Sequence, residues 1–372
     1  MQKEKYSHEA QRTIEIIEKR YSISWEDKKT LTSLNVLDLS YPSFCNIARL
    51  LELTDLNKVA LDFNIIDTSK LSELSRLFKL ETESSKDGDR SHHKELFTLF
   101  RDELYSNKII DISPLKELSN LSQLYLEYNN ISDISPLKKL TNIYELQLEH
   151  NQIIDISPLQ ELTNLSKLYL NNNQISNILS IKKLTHLTEL NLDHNQITKL
   201  PKLKTLTNLS ILGIGGNQIN DVSNLRELAN LTELSLYYNK MSDLSSVEGL
   251  RQIDKLQLNS NKISDLTPLK KLTNLKELGL CFNEISDLSP LENLTNLTDL
   301  SLDSNKISNL LPLVNLNNLF SLALRNNQIN HISPLKKLSN LKFLHLKSNP
   351  ISDLSPLKDI PQLYNLSSVL HP

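Results

Sequence analysis

The amino-acid sequence predicts an α/β repeat solenoid, a curved right-handed superhelix with a parallel β-sheet on its concave face and short turns or 3₁₀ segments on its convex side. The first observation is a 22-residue unit that recurs without insertion or deletion, with its first position at Leu121, Ile143, Leu165, Leu187, Leu209, Leu231, Ile253, Leu275, Leu297, Leu319, Leu341 and Leu363. The second is an asparagine that returns at one point of every unit, at Asn107, Asn129, Asn151, Asn173, Asn195, Asn217, Asn239, Asn261, Asn283, Asn305, Asn327 and Asn349.

The unit that spans residues 121–142 shows why a strand forms. Leu124 and Leu126 alternate with Gln123 and Tyr125, which is the period-two pattern of a half-buried strand. One such unit cannot bury its own apolar side chains, so neighbouring units must stack in register to form a continuous core. The sequence therefore predicts one short parallel strand for each unit.

The remaining fixed positions of the unit predict its turns. An asparagine amide donates and accepts hydrogen bonds at once, so the asparagine column is predicted to satisfy backbone groups in its own repeat and in the adjoining one. Proline fixes a segment that is not a strand. The sequence thus predicts short convex turns at Pro114, Pro136, Pro158, Pro268, Pro290, Pro312, Pro334 and Pro356.

Two consecutive motifs make up the unit, L-x-x-L-x-L-x-x-N-x-I and a stretch close to S-D-I-S-P-L-x-x-L-x-N. They resemble the leucine-rich repeat family and, within it, the short 22-residue class of bacterial internalins. The same motifs also resemble those of the leucine-rich regulatory subunit of protein phosphatase 1. The resemblance covers most of the chain and implies a curved leucine-rich repeat solenoid.

Residues outside the regular array give the predicted boundaries. Residues 1–33 lack the repeat and place apolar residues on one helical stripe, which predicts a helical N-terminal cap over the first strand. Residues 34–372 are predicted to be the leucine-rich repeat array, ending in a partial repeat at 363–372. A polar run at 81–94, with helical apolar spacing on both sides, predicts a helix–loop–helix interruption over about 69–106.

Composition limits the classes of partner. The net charge of -3 gives no overall basic excess, so we expect no nucleic-acid binding. No apolar run fits a signal peptide or a membrane span, which predicts a cytoplasmic protein without membrane insertion, while secretion without a signal peptide stays open. Cys45 and Cys281 lie about eleven repeats apart and are predicted to be free thiols. We expect a monomer without cofactors.

The concave face is the predicted binding surface, because its side chains vary while the inward leucines do not. Acidic residues dominate its N-terminal half, which predicts a protein partner with a basic patch. Exposed tyrosine is typical of binding faces. The predicted partner-binding residues are Tyr125, Glu127, Tyr128, Glu145, Glu149, Tyr169, Asp193, Gly213, Gly215, Tyr237, Tyr238, Phe282, Arg325 and Phe343.

Gly213 and Gly215 are unusual because they lie in one strand segment. Glycine in a strand often marks a close approach of another backbone or ligand. We therefore expect a dimple, flanked by Asp193, Tyr237 and Tyr238, that accepts a side chain of the partner. Neutral sequence drift is the alternative.

The sequence predicts no catalytic site and no metal site. Glu149-His150 and Asp193-His194 are acid–imidazole pairs, but the sequence places no nucleophile beside them. We therefore predict a non-enzymatic protein–protein interaction module that uses its concave face. Two alternatives remain open: a regulatory subunit of an enzyme such as a phosphatase, and a bacterial effector or adhesin that engages a host protein.

Overall fold

The structure is a computed structural model in which the chain divides into two compact units, residues 1–175 and 176–372. The described residues are Lys58–Ala60, 110–117, 119, 121–360 and 362–364. The cap predicted for 1–33, the interruption predicted for 69–106 and most of the partial repeat at 363–372 lie outside these residues.

Four parallel strands are described in the first unit, and they pair in chain order. They are β1 Lys58–Ala60, β2 Gln123–Tyr125, β3 Glu145–Gln147 and β4 Lys167–Tyr169. The register places Leu124 beside Val59 and Leu146, so equivalent repeat positions are neighbours. The return segments of this unit are 3₁₀ turns at Ser113–Glu117, Ser135–Lys139 and Ser157–Glu161.

The second unit repeats the same arrangement. Its parallel strands, again paired in chain order, are β5 Glu189–Asn191, β6 Ile211–Gly213, β7 Glu233–Ser235, β8 Lys255–Gln257, β9 Glu277–Gly279, β10 Asp299–Ser301, β11 Ser321–Ala323 and β12 Phe343–His345. Its 3₁₀ turns are Leu179–Lys183, Ser223–Leu225, Ser245–Val247, Thr267–Lys271, Ser289–Leu291, Leu311–Leu313, Ser333–Lys337 and Ser355–Asp359.

The core lies between the strands and the 3₁₀ turns of each unit. Leu256 of β8 and the following Leu258 are fully buried, while Gln257 between them is half-exposed. This confirms the alternation that the sequence predicts. Because each leucine packs against its equivalents in adjoining repeats, burial accumulates along the array and not within one repeat.

The asparagine column joins adjacent repeats, as predicted. The buried Asn305 donates from Nδ2 to the carbonyl of Leu302, 3.1 Å away in its own repeat, and to that of Leu280, 2.9 Å away in the preceding one. Its Oδ1 accepts from the backbone N–H of Ile285 at 3.0 Å. One amide thus forms hydrogen bonds with backbone groups of two repeats that are not paired in the strand ladder.

The prolines lie at the starts of 3₁₀ turns, again as predicted. In Thr267–Lys271, Pro268 occupies the first turn and the N–H of Leu272 closes the last one on Leu269. Proline suits this place because the first N–H groups of a helix have no intrahelical acceptor.

Within the described part of the chain, no helix has the length and apolar character needed to span a membrane.

In many of these 3₁₀ turns, an aspartate two residues before the first residue of the turn caps it. Asp287 Oδ1 accepts from the backbone N–H of Ser289 at 2.9 Å, and Oδ2 accepts from its hydroxyl at 2.7 Å. These two bonds lower the pKa of Asp287, because hydrogen bonds to the charged form favour that form. Asn177 and Asn309 accept from the equivalent N–H groups with an amide oxygen.

Acid should weaken the second unit through these caps. A carboxylate whose pKa is lowered on folding contributes stability above its unfolded pKa of about 3.8, and this stability is lost as the pH falls below that value. The pKa of Asp221, Asp265, Asp287 and Asp353 is lowered in this way. Changing these four residues to asparagine should keep the backbone hydrogen bond of each cap, as Asn177 and Asn309 do, and should make stability fall less steeply as the pH is lowered. Urea midpoints measured between pH 5 and pH 2 test this. The prediction would be contradicted if the midpoint fell equally with pH in the native chain and in the asparagine variant.

Candidate functional site

The strand side of each unit carries the candidate binding surface. We define it as each strand, the residue before it and the three residues after it; the remaining turns form the return side. The third residue after each of the strands β2 to β12 has a left-handed backbone, with φ between 48° and 62°. We call this row the strand-exit ridge: Tyr128, His150 and Asn172 in the first unit, and His194, Gly216, Tyr238, Ser260, Phe282, Ser304, Asn326 and Ser348 in the second.

Exposed aromatic side chains concentrate on the strand side. Among the described residues, the exposed large aromatic side chains that lie there are Tyr128, Tyr144, Tyr238, Phe282, Phe320 and Phe343. Tyr364, which is also exposed, follows the last described 3₁₀ turn at the repeat position that precedes a strand in the other repeats, and its N–H donates to the carbonyl of Lys342. The exposed large apolar side chains described on the return side are aliphatic: Ile110, Ile154, Leu179, Leu311 and Leu354. The aromatic surface is therefore one-sided, although repeat stacking by itself requires no such bias.

The acidic part of the first unit is built around Glu145. Gln123 Nε2 donates to Glu145 Oε2 at 2.6 Å, and Gln147 Nε2 donates to Oε1 at 3.1 Å. Glu127 and Glu149 lie on the same face and are partly exposed, as is Tyr169. These bonds fix the Glu145 carboxylate on the sheet, while the neighbouring carboxylates extend the negative charge.

The prediction that Tyr125 is an exposed contact residue is wrong. Its side chain is only 8% exposed, because side chains from adjoining strands cover it on the outer face. Burial raises the pKa of the Tyr125 phenol, and the nearby Glu145 carboxylate, to which it is hydrogen-bonded, raises it further. Tyr125 therefore supports Glu145 and contributes little contact surface.

Tyr128 forms a stack at the ridge of the first unit. Its ring lies on His150 with centroids 4.2 Å apart and an interplanar angle of 10°. Asn172 Nδ2 lies 3.2 Å from His150 Nε2. Ridge side chains from adjacent repeats are thus close enough to stack on one another.

The dimple predicted at Gly213 and Gly215 is not open. A Cβ on Gly215 would lie 2.5 Å from the Tyr237 ring, and one on Gly213 would lie 2.9 Å from Asn191 Oδ1. The chain's own side chains therefore fill the space. Gly215 accommodates the Tyr237 ring and Gly213 accommodates Asn191 and Asp193, so neither glycine offers a partner a recess.

Asp193 holds this arrangement in place. Its Oδ1 accepts from the N–H of Gly215 at 2.6 Å and its Oδ2 from the Tyr237 hydroxyl at 3.2 Å. Burial raises the pKa of Asp193, although both hydrogen bonds oppose that shift. Burial, then the Asp193 charge, raises the pKa of Tyr237 to about 12, so the phenol stays protonated at neutral pH.

Tyr237 in turn braces two ridge residues. Its hydroxyl oxygen lies 3.0 Å from His194 Nε2, and its ring meets Tyr238 edge to face with centroids 5.9 Å apart. The predicted residues Asp193, Gly215, Tyr237 and Tyr238 therefore form one cluster. Asp193 and Tyr237 position the cluster, and Tyr238 is its exposed part.

The other predicted residues of the second unit lie apart from this cluster. Phe282 stands two repeats further along the ridge and is exposed. Phe343 packs against Phe320, with centroids 5.2 Å apart, in the last described repeats. Arg325 is exposed, and its backbone N–H donates to Asp303 Oδ1 at 2.6 Å.

Sequence reasoning missed Tyr144 and Phe320, which immediately precede strands. It also did not recognise that the ridge positions form one row.

Cys281 is a free thiol, as predicted. Burial raises its pKa, so the thiol form prevails at neutral pH. Within the described ranges, no group of three or more His, Cys, Asp or Glu side chains is arranged to hold a metal ion.

The fold and its strand-side surface define a tandem repeat protein of the leucine-rich class. The family profile described as Leucine Rich repeats (2 copies) matches residues 141–183, 185–227, 229–271 and 273–315. Internalin InlF of Listeria monocytogenes is 34% identical, with a TM-score of 0.65, over 70% of this chain and 84% of its own. The chain belongs to the leucine-rich repeat family, in its internalin-like class.

Two further solved structures share the architecture. A leucine-rich repeat protein of Leptospira interrogans is 26% identical, with a TM-score of 0.68, over 91% of this chain and 97% of its own. The functional domain of InlJ from Listeria monocytogenes is 29% identical, with a TM-score of 0.59, over 67% of this chain and 53% of its own. No curated protein sequence matches the chain.

Proposed function

We propose that this chain is a non-enzymatic protein-interaction module that binds its partner protein through the strand side. The one-sided distribution of exposed aromatic side chains carries the proposal. Large aromatic side chains provide contact area with little loss of rotamer freedom, and they are enriched at protein interfaces. Membership of the leucine-rich repeat family supports the same role.

The first unit favours a partner with a basic patch. Glu127, Glu145 and Glu149 lie on one face, and Tyr128 is exposed at its edge. A fixed acidic surface steers a basic partner into contact and rejects an acidic one. The exposed ring then adds apolar contact area beside the charges.

Selection of a random displayed peptide library on the native chain tests this function. We expect basic peptides among the binders, with affinity that falls about tenfold for Glu149→Lys. Glu161→Lys is the matched control, because it makes the same charge change at an exposed site in a return-side 3₁₀ turn. Fluorescence anisotropy with each synthesised peptide gives the affinities.

Two results would count against this function. One is a selection that yields no basic binders at all. The other is a set of basic binders that ignore Glu149→Lys and respond to Glu161→Lys. Equal urea midpoints of the two variants would show that the difference in affinity does not come from unfolding.

A further inference from the structure

Two ridge aromatics of the second unit occupy a costly backbone conformation. Tyr238 and Phe282 have φ of 48° and 56°, in the left-handed region that disfavours residues with a bulky side chain. Their side chains are 62% and 60% exposed, so burial does not offset this cost. Asn326 occupies the same place in a later repeat, and asparagine is far better suited to it. The repeat imposes this backbone on every ridge residue, so what distinguishes Tyr238 and Phe282 is the large exposed ring that each places there.

The spacing of these two rings leaves room for a third. The backbone ladder continues through the ridge, with the N–H of Tyr238 bonded to Asn259 at 2.8 Å and that of Ser260 bonded to Cys281 at 2.7 Å. Tyr238 and Phe282 are therefore two repeats apart, roughly 10 Å between Cα atoms, with the small Ser260 between them.

The first unit shows what such a spacing accommodates. There, ridge rings of adjacent repeats stack at 4.2 Å in the Tyr128–His150 pair. In the second unit, Ser260 stands where the middle ring of such a stack would be. The gap thus has Ser260 at its base and one exposed aromatic residue on either side, at a spacing that suits one flat group.

Positive charge lies beside this gap. Lys240 and Lys262 are exposed two residues beyond Tyr238 and Ser260. Glu284, two residues beyond Phe282, forms an ion pair with Lys306 of the following repeat at 3.1 Å. Lys240 and Lys262 therefore supply positive charge beside the gap, in contrast to the acidic face of the first unit, and an acidic ligand is their complement.

We propose that the gap between Tyr238 and Phe282 binds an aromatic side chain from an acidic segment of a partner protein. The inserted ring completes a three-ring stack, and carboxylates on either side pair with Lys240 and Lys262. This proposal rests on the proposed function, because the ligand is again a protein segment. The gap is a different surface from the acidic face that contains Glu149. A nucleobase of single-stranded nucleic acid could stack similarly, but the chain's net charge of -3 opposes a polyanion more strongly than a short acidic protein segment.

Filling the gap from within the chain tests the proposal. The probe is a labelled peptide with two acidic residues on each side of one tryptophan, titrated into the native chain by fluorescence anisotropy. Ser260→Tyr should weaken binding about tenfold or more, because the new ring takes the ligand's place. Ser348→Tyr is the matched control: Ser348 has the same left-handed backbone, φ 60° against 57°, but lies outside the gap.

The probe itself supplies further controls. Peptides with alanine for tryptophan, or lysine for the acidic residues, should bind about tenfold more weakly. The proposal is overturned if the native chain does not bind the acidic peptide, if Ser260→Tyr binds it as well as Ser348→Tyr does, or if an oligothymidine of similar length binds more tightly.

A stability measurement separates a binding role from a structural one. The double variant Tyr238→Asn, Phe282→Asn should lose the acidic peptide while its urea midpoint rises, because asparagine relieves the backbone strain. A lower midpoint would assign the rings to the fold instead. The acidic face is tested by basic peptides and Glu149→Lys, and the gap by the acidic peptide and Ser260→Tyr, so failure of this proposal and failure of the acidic face can be told apart.

Discussion

Replacing Asn305 with leucine is expected to lower the free energy of unfolding by about 2–5 kcal/mol. The N–H of Ile285 would lose its acceptor inside the core, and the carbonyls of Leu280 and Leu302 would each lose one of two amide donors. A buried donor without an acceptor costs more than an average hydrogen bond contributes, so most of the loss comes from Ile285.

Asn318→Leu is the matched control for this change. Asn318 is exposed, and its amide donates a hydrogen bond to the carbonyl of Thr295 in the preceding repeat, at 2.8 Å. Its replacement should cost about 1 kcal/mol or less. Urea unfolding followed by circular dichroism measures both variants, and equal losses would show that the asparagine column is not a special support of the fold.

Leu300→Ala is the second change with a large expected effect. Leu300 lies in β10, is 1% exposed and is placed in register between Leu278 and Leu322. Its truncation should cost about 2–5 kcal/mol, from lost burial and from the cavity that remains. Because each repeat contacts only its neighbours, amide exchange should quicken most in the strands on either side.

Leu311→Ala provides the comparison for this cavity. Leu311 is 62% exposed on the return side, so its truncation should change stability by about 0.5 kcal/mol or less. A large loss for Leu311→Ala, or a small one for Leu300→Ala, would contradict the assignment of the core to the inward leucines.

The scaffold could be predicted from sequence because its signals repeat. Leu124, Asn129 and Pro136 recur at fixed spacing, and each has one physical role that the structure confirms: burial, backbone hydrogen bonding and the start of a 3₁₀ turn. Periodicity reports the positions that every repeat needs. It says less about the positions that are free to vary.

The candidate site was harder to predict because it depends on neighbours across the sheet. Alternation places Tyr125 on the outer face, but its burial depends on side chains of adjoining strands, such as Glu145, which are distant in sequence. The closure of the glycine dimple by Tyr237 has the same origin. Lateral packing of long side chains is not encoded in the local pattern.

The strand-exit ridge did leave a signal in the sequence. Asn172, Gly216 and Asn326 occupy one repeat position, and asparagine and glycine are the residues that best adopt a left-handed backbone. That preference identifies the turn conformation. Tyr128, Tyr238 and Phe282 at the same position depart from it with large exposed rings, and these are the residues to which we assign binding.

The central claim is that recognition belongs to the strand side and that the return side only completes the scaffold. Hydroxyl-radical footprinting tests it with the tightest peptide from the library selection, bound to the native chain. We expect protection of strand-side residues such as Tyr128, Tyr238 or Phe282, while Leu179 and Leu311, which are 53% and 62% exposed on the return side, react unchanged. Protection of Leu179 or Leu311 with none on the strand side would contradict the account.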